Sequence, residues 1–381
     1  MRFQNINIHN LRNHLNTTIE FSDKLNVFFG LNGAGKTTIL EALSICSFSK
    51  SFLSVQDSHL ITNNEEYYFI EGELLNDLNL SYRVKIYYKL NFKKEINSTY
   101  GEHLKPQDII GIIPLVALSP NNKSITTGSP AERRLFIDRI ICQSSKKYLK
   151  DILNQKKIIK QRNLLLNQYG QGLITDYKII EPWTDLLINI SSEILYTRLK
   201  FIKEFNPIFI NNYNTISGES ETVTLDYLPN SINKKDIESL LNKEELKIMY
   251  LNAFNKVRKE ELRRSTTLFG TQKDDVKFTI NSGIAREYAS QGQHKTLLIS
   301  LKLAEFEYLK TMTGETPIVL FDDIFSELDL KRSGKVLDII LSSAAQSFIT
   351  ITDSKQLQSF LDNHSYCSIF EIRNGKVNNI Y

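Results

Sequence analysis

The chain opens on alternating apolar positions, Phe3, Ile6 and Ile8. A mostly polar run over residues 10–16 follows, and then Thr17, Ile19 and Phe21. Two alternating runs joined by polar residues predict an antiparallel hairpin. Leu25-Asn26-Val27-Phe28-Phe29 is a compact, mostly apolar run that predicts a buried strand ending in a glycine-rich loop. Beyond the loop the period changes, because Ile39, Leu40, Leu43 and Phe48 recur at helical spacing. Residues 66–100 return to strands rich in aromatic and β-branched side chains, at 67–74 and 82–88. Residues 112–118 form another short apolar run, in which Pro114 limits the strand's place in a sheet.

The texture shifts at residue 130. Ser129 and Pro130 suit an N-cap and a first helical turn. Ile137, Ile140, Ile141, Tyr148, Ile152 and Ile159 then recur as on helices. This continues to residue 265, broken by Ser217-Gly218-Glu219-Ser220 and a strand-like piece at 223–227. From 266 the pattern is α/β again, with buried strands at 317–321 and 347–352. A closing hairpin turns at Asn374-Gly375. The expected plan is an α/β core made from both ends, 1–125 and 266–381, with a mainly helical insertion over 126–265.

Candidate chemistry sits where strands end. Gly30-Leu31-Asn32-Gly33-Ala34-Gly35-Lys36-Thr37 fits G-x-x-x-x-G-K-[ST] at every fixed position, between a strand and a helix. Glycines let successive N–H groups converge on one anion, and the following helix directs its positive end there. Lys36 suits the β- and γ-phosphates of ATP, and the Thr37 hydroxyl suits Mg²⁺. Ile318-Val319-Leu320-Phe321-Asp322-Asp323 delivers two carboxylates from a buried strand. Asp322 would hold Mg²⁺, and Asp323 would orient or deprotonate the attacking water. The loop by itself does not choose between a kinase, a GTPase and an ABC-type machine.

Composition adds limits. The chain has 381 residues, 41% hydrophobic and 24% charged, with a net charge of +4. This permits a nucleic-acid partner without demanding one, so any basic surface must be local. Cys46, Cys142 and Cys367 are scattered without a C-x-x-C pair, which argues against a zinc knuckle or disulfide framework and fits a reducing cytosol. The N-terminus lacks a signal-peptide core, and the apolar stretch 109–118 is too short to span a bilayer. The expectation is a soluble cytoplasmic protein without a membrane partner. Three cation groups are candidates for phosphate contacts: Lys146, Lys147 and Lys150; Lys156, Lys157, Lys160 and Arg162; and Arg258, Lys259, Arg263 and Arg264. Charged runs on helices are usually solvated faces, and Glu260 and Glu261 interleave with the last group.

Further motifs carry a family resemblance. Ser290-Gln291-Gly292-Gln293 precedes the acidic pair and resembles the ABC signature. Ser326-Glu327-Leu328-Asp329 resembles the D-loop, and Thr350 to Asp353 falls where the switch loop belongs. Asn10-Leu11-Arg12-Asn13-His14, the block Gly128-Ser129-Pro130-Ala131-Glu132-Arg133-Arg134-Leu135-Phe136-Ile137-Asp138 and Lys160-Gln161-Arg162-Asn163-Leu164-Leu165 are similar to motifs of the RecF family. So is the run from Ser290 through Lys302-Leu303-Ala304-Glu305. The resemblance covers essentially the whole chain. It implies an ABC-type P-loop ATPase head, with a mixed sheet and an antiparallel β-subdomain, carrying an inserted helical arm.

The resemblance also implies that Arg12, Asn13, residues 30–37, Thr38, Gly292, Gln293 and Asp329 contact the nucleotide. Ser290 would reach the γ-phosphate held by a second copy in an ATP-dependent homodimer. The implied function is a DNA-binding recombination and repair mediator acting at single-stranded or gapped DNA. RecR- and RecO-type partners, RecA loading, replication and SOS induction belong to the same implication. Three departures matter. Gly270-Thr271-Gln272-Lys273-Asp274-Asp275 lacks the family's proline, histidine and arginine. Leu11 and His14 replace aromatics beside Arg12. Threonines 350 and 352 stand where a switch histidine would, which suggests slow hydrolysis. Arg133 and Arg134 are alternatively structural, bridging arm and head. The competing readings are an ABC transporter ATPase subunit and an ATP-binding scaffold without turnover.

Overall fold

The computed structural model describes residues 1–218, 221–233, 242–323, 335, 339, 342, 345–352 and 367–380. The chain divides into two compact units, Met1–Lys123 with Lys295–Tyr381, and Ser124–His294.

In the first unit, β1 (Arg2–Leu11) and β2 (His14–Glu20) form the expected hairpin, and β3 (Leu25–Phe29) is the strand before the glycine loop. β4 (Tyr67–Leu75), β5 (Ser81–Lys89) and β6 (Glu95–Ser98) join the hairpin in an antiparallel sheet of order β2-β1-β4-β5-β6. Its strands alternate buried and outward positions, as a sheet with one covered face requires. β7 (Leu115–Leu118) starts just after Pro114, so the ring removes no ladder donor.

The second sheet of this unit has the order β14-β13-β3-β12-β11-β7, with β11 (Ile318–Phe321), β12 (Ser347–Ile351), β13 (Cys367–Arg373) and β14 (Lys376–Asn379). All its neighbours are parallel except β13 and β14. The expected hairpin turns at Asn374 and Gly375, both with positive φ (48° and 75°). Helix Lys36–Phe48 is buried on nearly all sides, polar residues included: every residue of it except Thr37 and Phe48 is buried. It packs on β1, β4 and β5 of one sheet and on β7 and β12 of the other. A helix buried between two sheets has no solvent face to leave polar, which explains its weak amphipathic pattern.

The second unit is built on helices Pro130–Ser144, Lys146–Gly170, Glu181–Ser217 and Lys243–Arg264. Ser129 and Glu132 cap the first reciprocally, with Pro130 in its first turn, as expected. The unit also holds a three-stranded antiparallel sheet of order β10-β9-β8, from β8 (Val223–Leu228), β9 (Asp275–Ile280) and β10 (Gly283–Ile284). The sequence plan returned residues 266–294 to the core. In the structure they stay with the second unit, because β9 completes its ladder on β8 rather than on a strand of the core sheets.

Buried charge pairs fix this unit. Arg162 is wholly buried, with Nη2 at 2.6 Å from Glu261 Oε2, Nη1 at 2.9 Å from Thr267 Oγ1 and Nε at 3.0 Å from Thr184 Oγ1. That removes Arg162 from the candidate phosphate contacts. Arg198 grips Asp138 through Nε (3.0 Å) and Nη2 (2.9 Å), and donates to Tyr227 OH at 2.8 Å. Arg133 grips Asp275 through two bonds of 2.8 Å, and Arg134 donates to Asp274 O. Both arginines are structural, as one of the readings had it. Their partners, however, belong to the same compact unit and not to the core.

Candidate nucleotide-binding site

The C-terminal ends of the parallel strands β3, β7, β11 and β12 surround a cavity of about 730 Å³. Open α/β sheets bind ligands in this position, because strand ends release loops there and helices start there. Lining residues include Arg12, Asn13, Gly33, Lys36, Asp322 and Asp323.

The glycine loop is held from behind. Asn13 Nδ2 donates to Gly33 O at 3.2 Å, Gly375 N to Ala34 O at 2.9 Å, and His14 Nε2 to Gly35 O at 3.0 Å. Three successive carbonyls are thus engaged from outside the loop. In a trans peptide C=O and N–H point oppositely, so the N–H groups of Gly35 and Lys36 turn the other way. This is how backbone amides are aimed at a phosphate before it arrives. Gly35 has φ 113°, and a Cβ there would come within 2.6 Å of His14 Nε2 and 2.7 Å of Asn13 Oδ1. A Cβ on Gly375 would come within 1.9 Å of Asn13 O. His14, which departs from the family pattern, therefore has a specific task. A carbonyl only accepts, so the ring proton sits on Nε2. Burial lowers the His14 pKa and favours the neutral ring that this bond needs.

Lys36 is buried, and its ammonium donates to Gly30 O at 2.7 Å and Leu31 O at 3.0 Å. Burial lowers its pKa, and the carboxylates of Asp323 and Asp322 oppose that shift. Asp322 Oδ1 accepts from Thr37 Oγ1 at 2.7 Å and from Thr350 Oγ1 at 3.1 Å. Burial pushes the Asp322 carboxyl up, Asp323 and Glu41 add to the rise, and its hydroxyl partners oppose it. A half-desolvated carboxylate beside a threonine hydroxyl is an oxygen-only donor pair of the kind Mg²⁺ takes. Asp323 adopts φ 49°, and its N–H donates to Thr350 Oγ1 at 2.8 Å. One threonine thus ties both acids to the end of β12.

Of the sequence candidates, Arg12, Asn13, Asn32, Gly33, Gly35, Lys36, Thr37, Thr38, Asp322 and Asp323 line this one cavity. Gly30, Leu31 and Ala34 contribute backbone to the loop, and the Leu31 side chain is exposed. Ser290, Gly292 and Gln293 belong to the second unit. There Ser290 Oγ accepts the Gln293 N–H at 3.2 Å, and Gln293 Oε1 accepts the Ser290 N–H at 2.7 Å. Ser290 is thus the exposed N-cap of helix Gln291–Thr313. Asp329 and Ser326 lie outside the described residues. Sequence reasoning missed Glu41 and Gly375 and gave Thr350 no structural task. Asn374-Gly375 carried a turn signal, but nothing local says that the turn docks on a loop at the other end of the chain.

A family model described as an AAA domain matches residues 5–362. The DNA replication and repair protein RecF of Chloroherpeton thalassium is 37% identical over 359 residues, covering 93% of this chain and 96% of its own. That of Halothermothrix orenii is 34% identical over 381 residues, covering 99% and 98%. The chain belongs to the RecF family of DNA replication and repair proteins. Among solved members of the family, the recombination mediator RecF with ATP superposes at a TM-score of 0.89 with 29% identity, covering 100% of this chain and 98% of that one. An Smc head bound to the C-winged helix domain of ScpA shares the fold alone, at a TM-score of 0.56 and 14% identity. The family thus has the ABC/SMC head fold. Among the described residues, no helix is long and apolar enough to cross a membrane.

Proposed function

We propose that this chain is an ATP-dependent DNA-binding mediator of recombination and repair. The first unit acts as the ATPase head and the second as the arm. ATP closes a dimer of heads on DNA at single-strand gaps or junctions, and slow hydrolysis releases it. RecR- and RecO-type proteins are the expected partners in RecA loading. The carrying observation is the convergence of Lys36, Thr37, Asp322 and Asp323 on one cavity, in a family with a solved ATP-bound member. Thr37 and Asp322 would hold Mg²⁺, which screens phosphate charge when bound. Lys36 binds the phosphates, and Asp323 holds the attacking water. Ser290 on a second copy would complete the γ-phosphate site.

The test measures ATP turnover and oligomeric state together, with and without gapped DNA, for the parent and for Ser290→Arg. The expected result is an ATP-dependent dimer with DNA-stimulated turnover, and loss of both in the variant. A parent that stays monomeric with ATP and ignores DNA would sink the shared-site reading.

The arm helix Lys146–Gly170 supports a DNA surface. Lys146, Lys150, Lys157 and Lys160 follow helical spacing along its exposed side, opposite the buried Tyr148, Ile152, Gln155 and Leu166. Lys150, Lys156, Lys157 and Lys160 form no ion pair with a described residue. The helix's one acid, Asp151, lies 3.8 Å from Lys147. By contrast, Arg263 and Arg264 share Glu260. Replacing Lys150, Lys157 and Lys160 by Gln should flatten the slope of log affinity against log salt by about 2–3. An unchanged slope in salt-titrated DNA binding would remove this face from the interface.

A further inference from the structure

Glu41 stands on the helix that follows the glycine loop, and its side chain is 1% exposed. Two hydrogen bonds and an ion-pair contact converge on it. Arg12 Nη2 donates to Oε1 at 2.9 Å, Arg12 Nε lies 2.6 Å from Oε2, and Ser51 Oγ donates to Oε1 at 2.7 Å. A carboxylate this deep persists only when cations and donors satisfy it. Arg12 is placed differently. Its side chain is 36% exposed, and it forms part of the cavity wall. Its backbone sits at φ 52°, a left-handed conformation that a residue with a Cβ holds only under constraint. A backbone bond supplies the constraint: Arg12 N donates to Leu60 O at 2.7 Å. With the backbone pinned at Leu60, and Nε and Nη2 turned to Glu41, the Nη1 edge of the guanidinium donates to no described residue.

We propose that Glu41 is a positioning residue that fixes the Arg12 guanidinium so that its free edge bonds a phosphate oxygen of the bound nucleotide. This rests on the ATP reading above. A guanidinium held in a plane by a carboxylate keeps its remaining donors in a fixed fork, which suits a phosphate better than a freely rotating side chain. The same carboxylate ties down Ser51, whose Oγ also accepts the N–H of Leu53, another cavity residue. Glu41 therefore joins two walls of the site.

The sign of the effect separates positioning from plain electrostatics. Removing a negative charge beside a polyanion site should tighten binding by Coulomb's law alone. Loss of positioning should weaken it. The experiment titrates a fluorescent ATP analogue into the parent, Arg12→Ala, Glu41→Gln and the double variant. Melting temperatures with and without ATP are recorded in parallel. The expected result is a roughly tenfold weaker Kd in each single variant and no further loss in the double. The nucleotide-induced rise in melting temperature should shrink in each variant, measured from that variant's own nucleotide-free value, which Arg12→Ala lowers by leaving the buried Glu41 carboxylate without its cation. Effects that multiply in the double variant, an unchanged Kd or tighter binding in Glu41→Gln would each overturn the proposal. A parent that binds no analogue would instead overturn the ATP reading itself.

Discussion

Asp323→Asn is expected to lower ATP turnover about a thousandfold while changing ATP affinity no more than a few-fold. The two acids at the end of β11 are adjacent in sequence but placed for different tasks. Asp322 turns towards the phosphate-loop helix, where Thr37 Oγ1 reaches it at 2.7 Å. Asp323 follows with φ 49°, which sends the chain away from the strand direction, and Thr350 Oγ1 accepts its N–H at 2.8 Å. An amide at 323 preserves the side chain's size but cannot take a proton from water, so binding should survive and the chemical step should not. Nucleotide titration and steady-state phosphate release on the same preparation give the two readouts. Turnover near that of the parent would remove Asp323 from the reaction.

Glu261→Ala is expected to destabilise the second unit by about 3–5 kcal/mol. Arg162 and Glu261 are 0% and 1% exposed, and Nη2 lies 2.6 Å from Oε2. Glu261 Oε1 also accepts the Leu268 N–H at 2.6 Å, where the chain leaves helix Lys243–Arg264. The Arg162 guanidinium packs near the rings of Phe254 and Phe269, with centroids 5.7 and 5.2 Å away. Deleting the carboxylate strands a buried cation among apolar rings and leaves a backbone donor unpaired. The chain's one tryptophan, Trp183, packs against the cluster of Leu165, Leu166 and Ile180 beside this pair. Its fluorescence during equilibrium denaturation therefore reports on the affected region. Replacing both partners, as in Arg162→Met with Glu261→Leu, should recover much of the loss, because no buried charge is then left alone. A loss under about 1 kcal/mol in the single variant would show that water reaches Arg162.

These two results would probe different kinds of information. The glycine loop, Lys36, Thr37 and the acids after β11 were readable because each is a short motif whose residues act through their local backbone. The hairpins at both chain ends, the buried parallel strands and the Ser129–Pro130 helix start were readable for the same reason. Periodicity and capping are set by near neighbours. The cations of residues 156–162 could not be sorted in this way. The period of 3.6 gives each residue a direction on its helix, but only the packed helices show that Arg162 faces Glu261 while Lys157 and Lys160 face solvent.

The sequence alone determined the α/β core, the phosphate loop, the acidic pair after β11 and the family. The tertiary structure alone decided that residues 266–294 complete the sheet of the second unit. It also decided that Gly375, His14 and Asn13 hold three consecutive loop carbonyls. That Glu41 pairs with Arg12 and that Thr350 ties both acids was likewise visible only there. The physical reason is the range of the forces involved. Propensity, capping and phosphate-loop geometry depend on residues within a few positions of one another. A buried carboxylate or an unpaired edge takes whichever donor packing brings to it, however distant along the chain.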